Sequence, residues 1–242
     1  LEVKQIMEIN QMLTQERNNT GTSWTKNKEF DQNGYFVFKD LCDPQELHFP
    51  LPNERGQINY WGKNKDQFTH NPVEAQVEGS LARYWHPQYR EIHSQIRCKL
   101  EEKLGRLLYN TYYYDRFYFP GQELKKHVDR DACEISVTVH IGTNLSNGKE
   151  KWPIWIKTPD IYTDEKKENV LTHGKEQKVI LEPGDGMIYK GCERPHWREA
   201  MPDNQPKKFL FRKKEIFYYH QIFFHYVLRD GQRAHCAWDA AH

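Results

Sequence analysis

Residues 111–142 read TYYYDRFYFPGQELKKHVDRDACEISVTVHIG. Two runs rich in β-branched and aromatic residues, 111–119 and 134–142, flank a connection holding Pro120, Gly121 and a charged stretch. That is the pattern of short strands separated by turns. Inside the connection His127 and Asp129 stand one residue apart, and residues i and i+2 of an extended backbone project to one face. An imidazole and a carboxylate so placed can share a proton, pair as charges, or grip a metal ion.

The same texture continues downstream. WPIWIKT (152–158), KVILEP (178–183), GMIYKG (186–191), PHWREA (195–200) and HQIFFHYVL (220–228) are short, apolar or aromatic, and bounded by turn formers. Upstream, GYFVFKDL (34–41) reads as one more strand. Residues 87–108 carry Ile92, Ile96, Leu100, Leu104 and Leu107 at helical spacing, which predicts an amphipathic helix packed on a sheet. Residues 1–17 also have helical spacing, and 50–80 read as loops. Many short strands behind a helical half predict a mainly β fold with α, an antiparallel sandwich or barrel with N-terminal helices packed outside. The expected organisation is a single domain over 1–242, with a helical and loop support region (1–110) and a catalytic core (111–230).

At 242 residues, with 37% hydrophobic and 14% aromatic residues, the protein is long enough to bury a sizeable core. Lys and Arg total 35 against 34 acidic residues, so no global charge draws it to nucleic acid or a membrane. A local basic cluster spans 207–214, where Phe209, Leu210 and Phe211 are interleaved; a solvated loop is the first expectation and peptide or nucleic-acid docking the second. Five cysteines without CxxC spacing exclude a disulfide framework and argue for a reducing, cytoplasmic setting. No signal-peptide pattern opens the sequence, and no apolar run approaches the ~20 residues of a membrane span.

The second half of the candidate site lies in EPGDGMIYKGCERPHWREA (182–200), where a Pro-Gly-Asp-Gly corner leads through a strand and a loop to His196. In a barrel of two facing sheets His196 can join His127 and Asp129. Two histidines and one carboxylate leave open coordination positions and suit non-haem Fe(II) oxygen chemistry. Most of the other histidines read as surface or hydrogen-bonded residues.

These segments resemble the Fe(II)/2-oxoglutarate-dependent dioxygenases, and within them the prolyl 4-hydroxylase-like branch. The resemblance covers about residues 112–230 and rests on FYFPGQELKKHVD, CEISVTVHIG, LEPGDGMIYKG, PHW and QIFFHYV. It implies a double-stranded β-helix (jelly roll) with His127, Asp129 and His196 as both metal ligands and catalytic residues. It also implies 2-oxoglutarate and O2 as co-substrates, succinate and CO2 as co-products, and ascorbate as a candidate reductant. The expected reaction is hydroxylation of a C–H bond, foremost in a prolyl residue of a peptide or protein. Relatives that halogenate lack the carboxylate that Asp129 supplies here.

The family also needs a cation for the far carboxylate of 2-oxoglutarate, usually an Arg or Lys on the last strand. The apparent last strand, YYHQIFFHYV, has neither. Arg198, two residues past His196, can grip a carboxylate with its fork of donors; Lys207 and Lys208 are the alternatives. Tyr118 and His140 are expected to help hold the co-substrate. The polar segment 157–178, which includes Tyr162, is expected to be a lid or binding loop. The rival readings are a small-molecule hydroxylase of the same mechanism, a cupin-like metal protein that does not use 2-oxoglutarate, and a jelly-roll binding module with a vestigial site.

Overall fold

The computed structural model describes residues 25–47, 76–145, 151–165, 168–202 and 217–239. The expected helix at 1–17, most of the 50–80 loops and the basic cluster at 207–214 lie outside the described residues.

In sequence order the elements begin with α1 (Lys28–Asn33), β1 (Tyr35–Phe38), α2 (Pro44–Leu47), β2 (Leu81–Tyr84) and α3 (Tyr89–Leu104). The strands β3 (Leu108–Tyr118), β4 (Leu124–His127), β5 (Ile135–Thr143) and β6 (Ile154–Lys157) follow. A hairpin of β7 (Ile161–Glu165) and β8 (Glu168–Thr172) precedes β9 (Glu176–Val179), β10 (Gly186–Tyr189), β11 (His196–Arg198) and β12 (Tyr219–Leu228). One sheet has the order β1-β10-β5-β12-β3-β2 and the facing sheet β4-β11-β6-β9. All the pairings within them are antiparallel. Taken in sequence, β3–β6 and β9–β12 alternate between the sheets as a jelly roll requires.

The period of two along β3 divides its residues between two environments. Tyr113 joins Tyr89, Ile96, Leu100 and Leu104 in the core beneath α3, whereas Tyr112, Tyr114 and Tyr118 join the core between the sheets. Residues Ile96, Leu100 and Leu104 of α3 are fully buried, so the amphipathic face packs on the sheet as its spacing predicts. The helix is shorter than that spacing suggests. Gly105, at φ +66°, caps it with an N–H to the Glu101 carbonyl, and Leu107 is left 56% exposed.

Two polar devices fix the scaffold. On the helix side, Asp115 is completely enclosed and accepts from Arg83, Tyr89 and His220. At the Pro-Gly-Asp-Gly corner, Asp185 accepts from the backbone of Asp40 and Glu182, while Gly184 donates to the His140 carbonyl at 2.8 Å. A Cβ at Gly184, whose φ is +90°, would lie 2.7 Å from the Cys42 carbonyl oxygen, so this corner requires glycine.

Candidate metal centre

The pairing of β4 with β11 sets His127 directly opposite His196, with ring centroids 4.3 Å apart. Each Nε2 lies 3.5 Å from the same oxygen, Asp129 Oδ1. The three ligand atoms fall within 4.8 Å of one another. Each imidazole faces a backbone carbonyl with its other nitrogen: His127 Nδ1 lies 2.7 Å from the Lys125 oxygen and His196 Nδ1 lies 3.0 Å from that of Arg194. A carbonyl can only accept, so both rings carry hydrogen on Nδ1 and turn Nε2 toward the Asp129 carboxylate, where a metal would take the place of any Nε2 proton. That is the tautomer a metal ligand needs.

Asp129 reaches this point by a different route from the one the sequence suggested. The strand ends at His127, and Asp129 lies beyond it, ahead of a 3-10 turn at Asp131–Cys133. Its N–H donates to the Gly191 carbonyl at 2.9 Å, tying the connection to the β10–β11 turn. Ser136 Oγ donates to Asp129 Oδ2 at 2.8 Å and itself lies 3.1 Å from His225 Nδ1. With the serine proton committed to the carboxylate, His225 Nδ1–H is the donor, and a relay runs from His225 through Ser136 to Asp129.

Burial opposes ionisation of Asp129, yet the neighbouring His196 and hydrogen bonds from both imidazoles hold its carboxyl well below the usual range. Burial also works against a charged His127, but its contact with Asp129 raises its pKa overall, and metal binding competes with protonation at that ring. A second trio, Asp129, Cys133 and His225, is equally compact. Burial and the adjacent Asp129 push the Cys133 thiol well up, away from the thiolate a metal binds, so this trio is poorly suited to a metal.

The interior between the sheets holds more cationic and amide groups than the sequence reading foresaw. Arg198 is buried, donates from Nη1 to the Trp152 carbonyl at 2.6 Å, and lies over the rings of Trp152 and Tyr219. His140 stacks on Tyr219 at 4.1 Å, and burial followed by the Arg198 charge lowers its pKa to about 3. Tyr118 is fully buried, edge-on to Trp152. Arg116 and Gln221, overlooked in sequence, occupy the same interior in one cross-strand register row with His140. The signal for Arg116 was available: a charge replaces an aromatic in the alternation Tyr112, Tyr114, Arg116, Tyr118. Lys207 and Lys208 lie outside the described residues. A cleft of about 570 Å³ lies against His127, lined among others by Val77, Glu78, Gln122, Leu124 and Lys125.

No protein-family model matches this sequence, and no curated protein matches it. Solved structures do. A prolyl-4-hydroxylase of Pseudomonas putida is 14% identical over 81% of this protein and 95% of its own length, with a TM-score of 0.50. An oxidoreductase of the 2OG-Fe(II) oxygenase family from Burkholderia pseudomallei is 8% identical over 86% and 92%, with a TM-score of 0.53. The epimerase SnoN, in complex with Fe3+, alpha ketoglutarate and nogalamycin RO, is 12% identical over 88% and 89%, also at 0.53. At these identities the likeness is one of fold. The protein has the jelly roll that these 2-oxoglutarate and iron proteins share.

Proposed function

We propose that the protein is an Fe(II)- and 2-oxoglutarate-dependent oxygenase that hydroxylates a C–H bond, with His127, Asp129 and His196 holding the metal. The observation that carries this reading is the convergence of two Nε2 atoms, on rings each fixed by an Nδ1–H to a carbonyl, on one oxygen of a buried carboxylate. The donor set, two neutral imidazoles and one carboxylate, fits Fe(II). When bound, iron would supply dioxygen activation coupled to the conversion of 2-oxoglutarate into succinate and CO2.

The protein's own residues orient and enclose. The Ser136–His225 relay holds the Asp129 carboxylate in place, leaving Oδ1 to the metal. Arg198 offers a guanidinium to the far carboxylate of 2-oxoglutarate, with His140 and Tyr118 beside it. Its Nε has no partner among the described residues, although it is buried. Such a donor is costly unless a ligand meets it. The cleft against His127 gives a substrate its approach.

A prolyl residue is the first substrate to test, since the sequence motifs point to that branch and a prolyl hydroxylase shares the fold. The anaerobic protein should bind about one Fe(II) or Mn(II) per molecule, since the three donors form a single set. It should then convert 2-oxoglutarate to succinate in air, faster in the presence of a proline peptide. Metal binding without succinate formation would leave the cupin-like reading. Full activity in His127→Ala or His196→Ala would overturn the metal assignment.

A further inference from the structure

The oxygenase reading gives Arg198 and the metal one carboxylate each of 2-oxoglutarate, and Arg116 then has no role. This guanidinium is only 4% exposed, and its Nε and Nη1 find no hydrogen-bond partner among the described residues. It lies over the rings of Tyr114 and Tyr118, at 5.3 and 5.6 Å, and forms no ion pair among the described residues. Its sequence neighbour Asp115 offers no charge to it, because that side chain points to the opposite face and is bound to Arg83 and His220. Directly across the strand pair stands Gln221, wholly buried, with both amide atoms unpartnered among the described residues. A buried cation without a carboxylate is costly, and an unmet amide adds to the cost. Aromatic faces offset only part of this.

We propose that Arg116 and Gln221 form a carboxylate-binding subsite inside the barrel, separate from Arg198, which takes an acid group of the molecule being oxidised. A guanidinium edge and an amide N–H on adjacent strands can donate together to one carboxylate. The substrate would then be a small acid, an amino acid or the terminal carboxylate of a peptide rather than an internal peptide residue. Only the origin of the acid rests on the oxygenase reading. The chemistry of the subsite can be tested without metal.

The experiment compares wild type with Arg116→Met and Arg116→Lys. In the metal-free proteins, Arg116→Met should melt at or above the wild-type temperature, because an uncompensated buried charge has been removed. Acetate and L-proline should raise the wild-type melting temperature, with L-prolinamide as the uncharged control. Their affinity should fall by about tenfold or more in Arg116→Met and by less in Arg116→Lys, which keeps charge without the fork. With Mn(II) bound, 2-oxoglutarate affinity should stay within about threefold of wild type if Arg198 is its anchor. A loss of about tenfold in that titration instead would keep the carboxylate subsite but assign it to the co-substrate. Carboxylate titrations that superimpose on wild type throughout, or a lowered melting temperature in metal-free Arg116→Met, would overturn the subsite. Failure of metal binding would remove the oxygenase reading and leave the acetate result standing.

Discussion

At the scale of single residues, the candidate centre depends as much on the groups behind its three donors as on the donors. Ser136 holds Asp129 Oδ2 at 2.8 Å and leaves Oδ1 facing the two imidazoles. Ser136→Ala should therefore weaken Mn(II) binding by about 10–100-fold, the usual loss when such a supporting hydrogen bond is removed. The measurement is an anaerobic titration, with the melting temperature as control; unchanged affinity would show that the carboxylate needs no orienting partner. Asp129→Ala should abolish metal binding while the fold persists, since it leaves both sheets paired. The three residues proposed as donors could be singled out in sequence from the His-x-Asp pair and a distal histidine, although Asp129 joins them from the connection after β4 rather than from a shared strand face. Ser136, His225, Gln221 and Arg116 could not. Their roles depend on which residues stand opposite one another across β3, β12 and β5, and sequence spacing does not encode that register.

Among the elements, α3 was readable because its period of 3.6 reflects burial on one face, whereas β3, β10 and β12 are buried on both faces and were readable as β-branched and aromatic runs between turn formers. The strand β4, LKKH, has only one apolar residue and forms because β11 pairs with it, so periodicity could not reveal it. The segment at 157–178, expected to be a lid or binding loop, contains the β7–β8 hairpin, which stands as its own two-stranded sheet; the Tyr162 side chain lies outside the described residues. Its base is pinned where Thr158 and Lys175 exchange hydrogen bonds. Excising 161–172 should therefore spare metal binding and 2-oxoglutarate consumption. Substrate hydroxylation should fall if the hairpin closes over the substrate, and equal loss of both activities would make it a structural strut. The turn between β10 and β11 permits a sharper expectation. A Cβ at Gly191 would come within 2.3 Å of the Cys133 carbonyl oxygen and 2.6 Å of Asp129 Oδ2. Gly191→Ala should push the Asp129 connection off the turn, lowering the melting temperature and metal affinity together. Wild-type values for both would mean that this close approach relaxes freely.

Across the whole molecule, the fold stands at 8–14% identity to the three solved structures compared above, which fits a jelly roll specified by strand order and burial more than by particular side chains. The interior chemistry sets a property of the entire fold, its response to acid. Burial lowers the pKa of His93 to about 4, of His140 to about 3 and of His225 to about 3. In the unfolded state each imidazole titrates at its ordinary value of about 6.5. Between these limits the unfolded state binds more protons, so stability is whole above about pH 6.5 and falls as pH drops toward 4 and then 3. Three such groups lose at most about 4 kcal/mol per pH unit in the steep part of that window. Asp115, held at about 2 by Arg83 and His220 against its burial, adds a further loss below the ordinary carboxylate range. The urea midpoint of the metal-free protein should therefore be flat from pH 8 to 7 and decline steeply between 6 and 4. His93 lies on the helix side, hydrogen-bonded to the His225 carbonyl and away from the candidate centre. His93→Gln should lessen the decline by the contribution of one coupled proton, at most about 1.4 kcal/mol per pH unit, without changing metal affinity. A midpoint that stayed level down to pH 4, in wild type or variant, would mean that these imidazoles accept protons inside the folded protein.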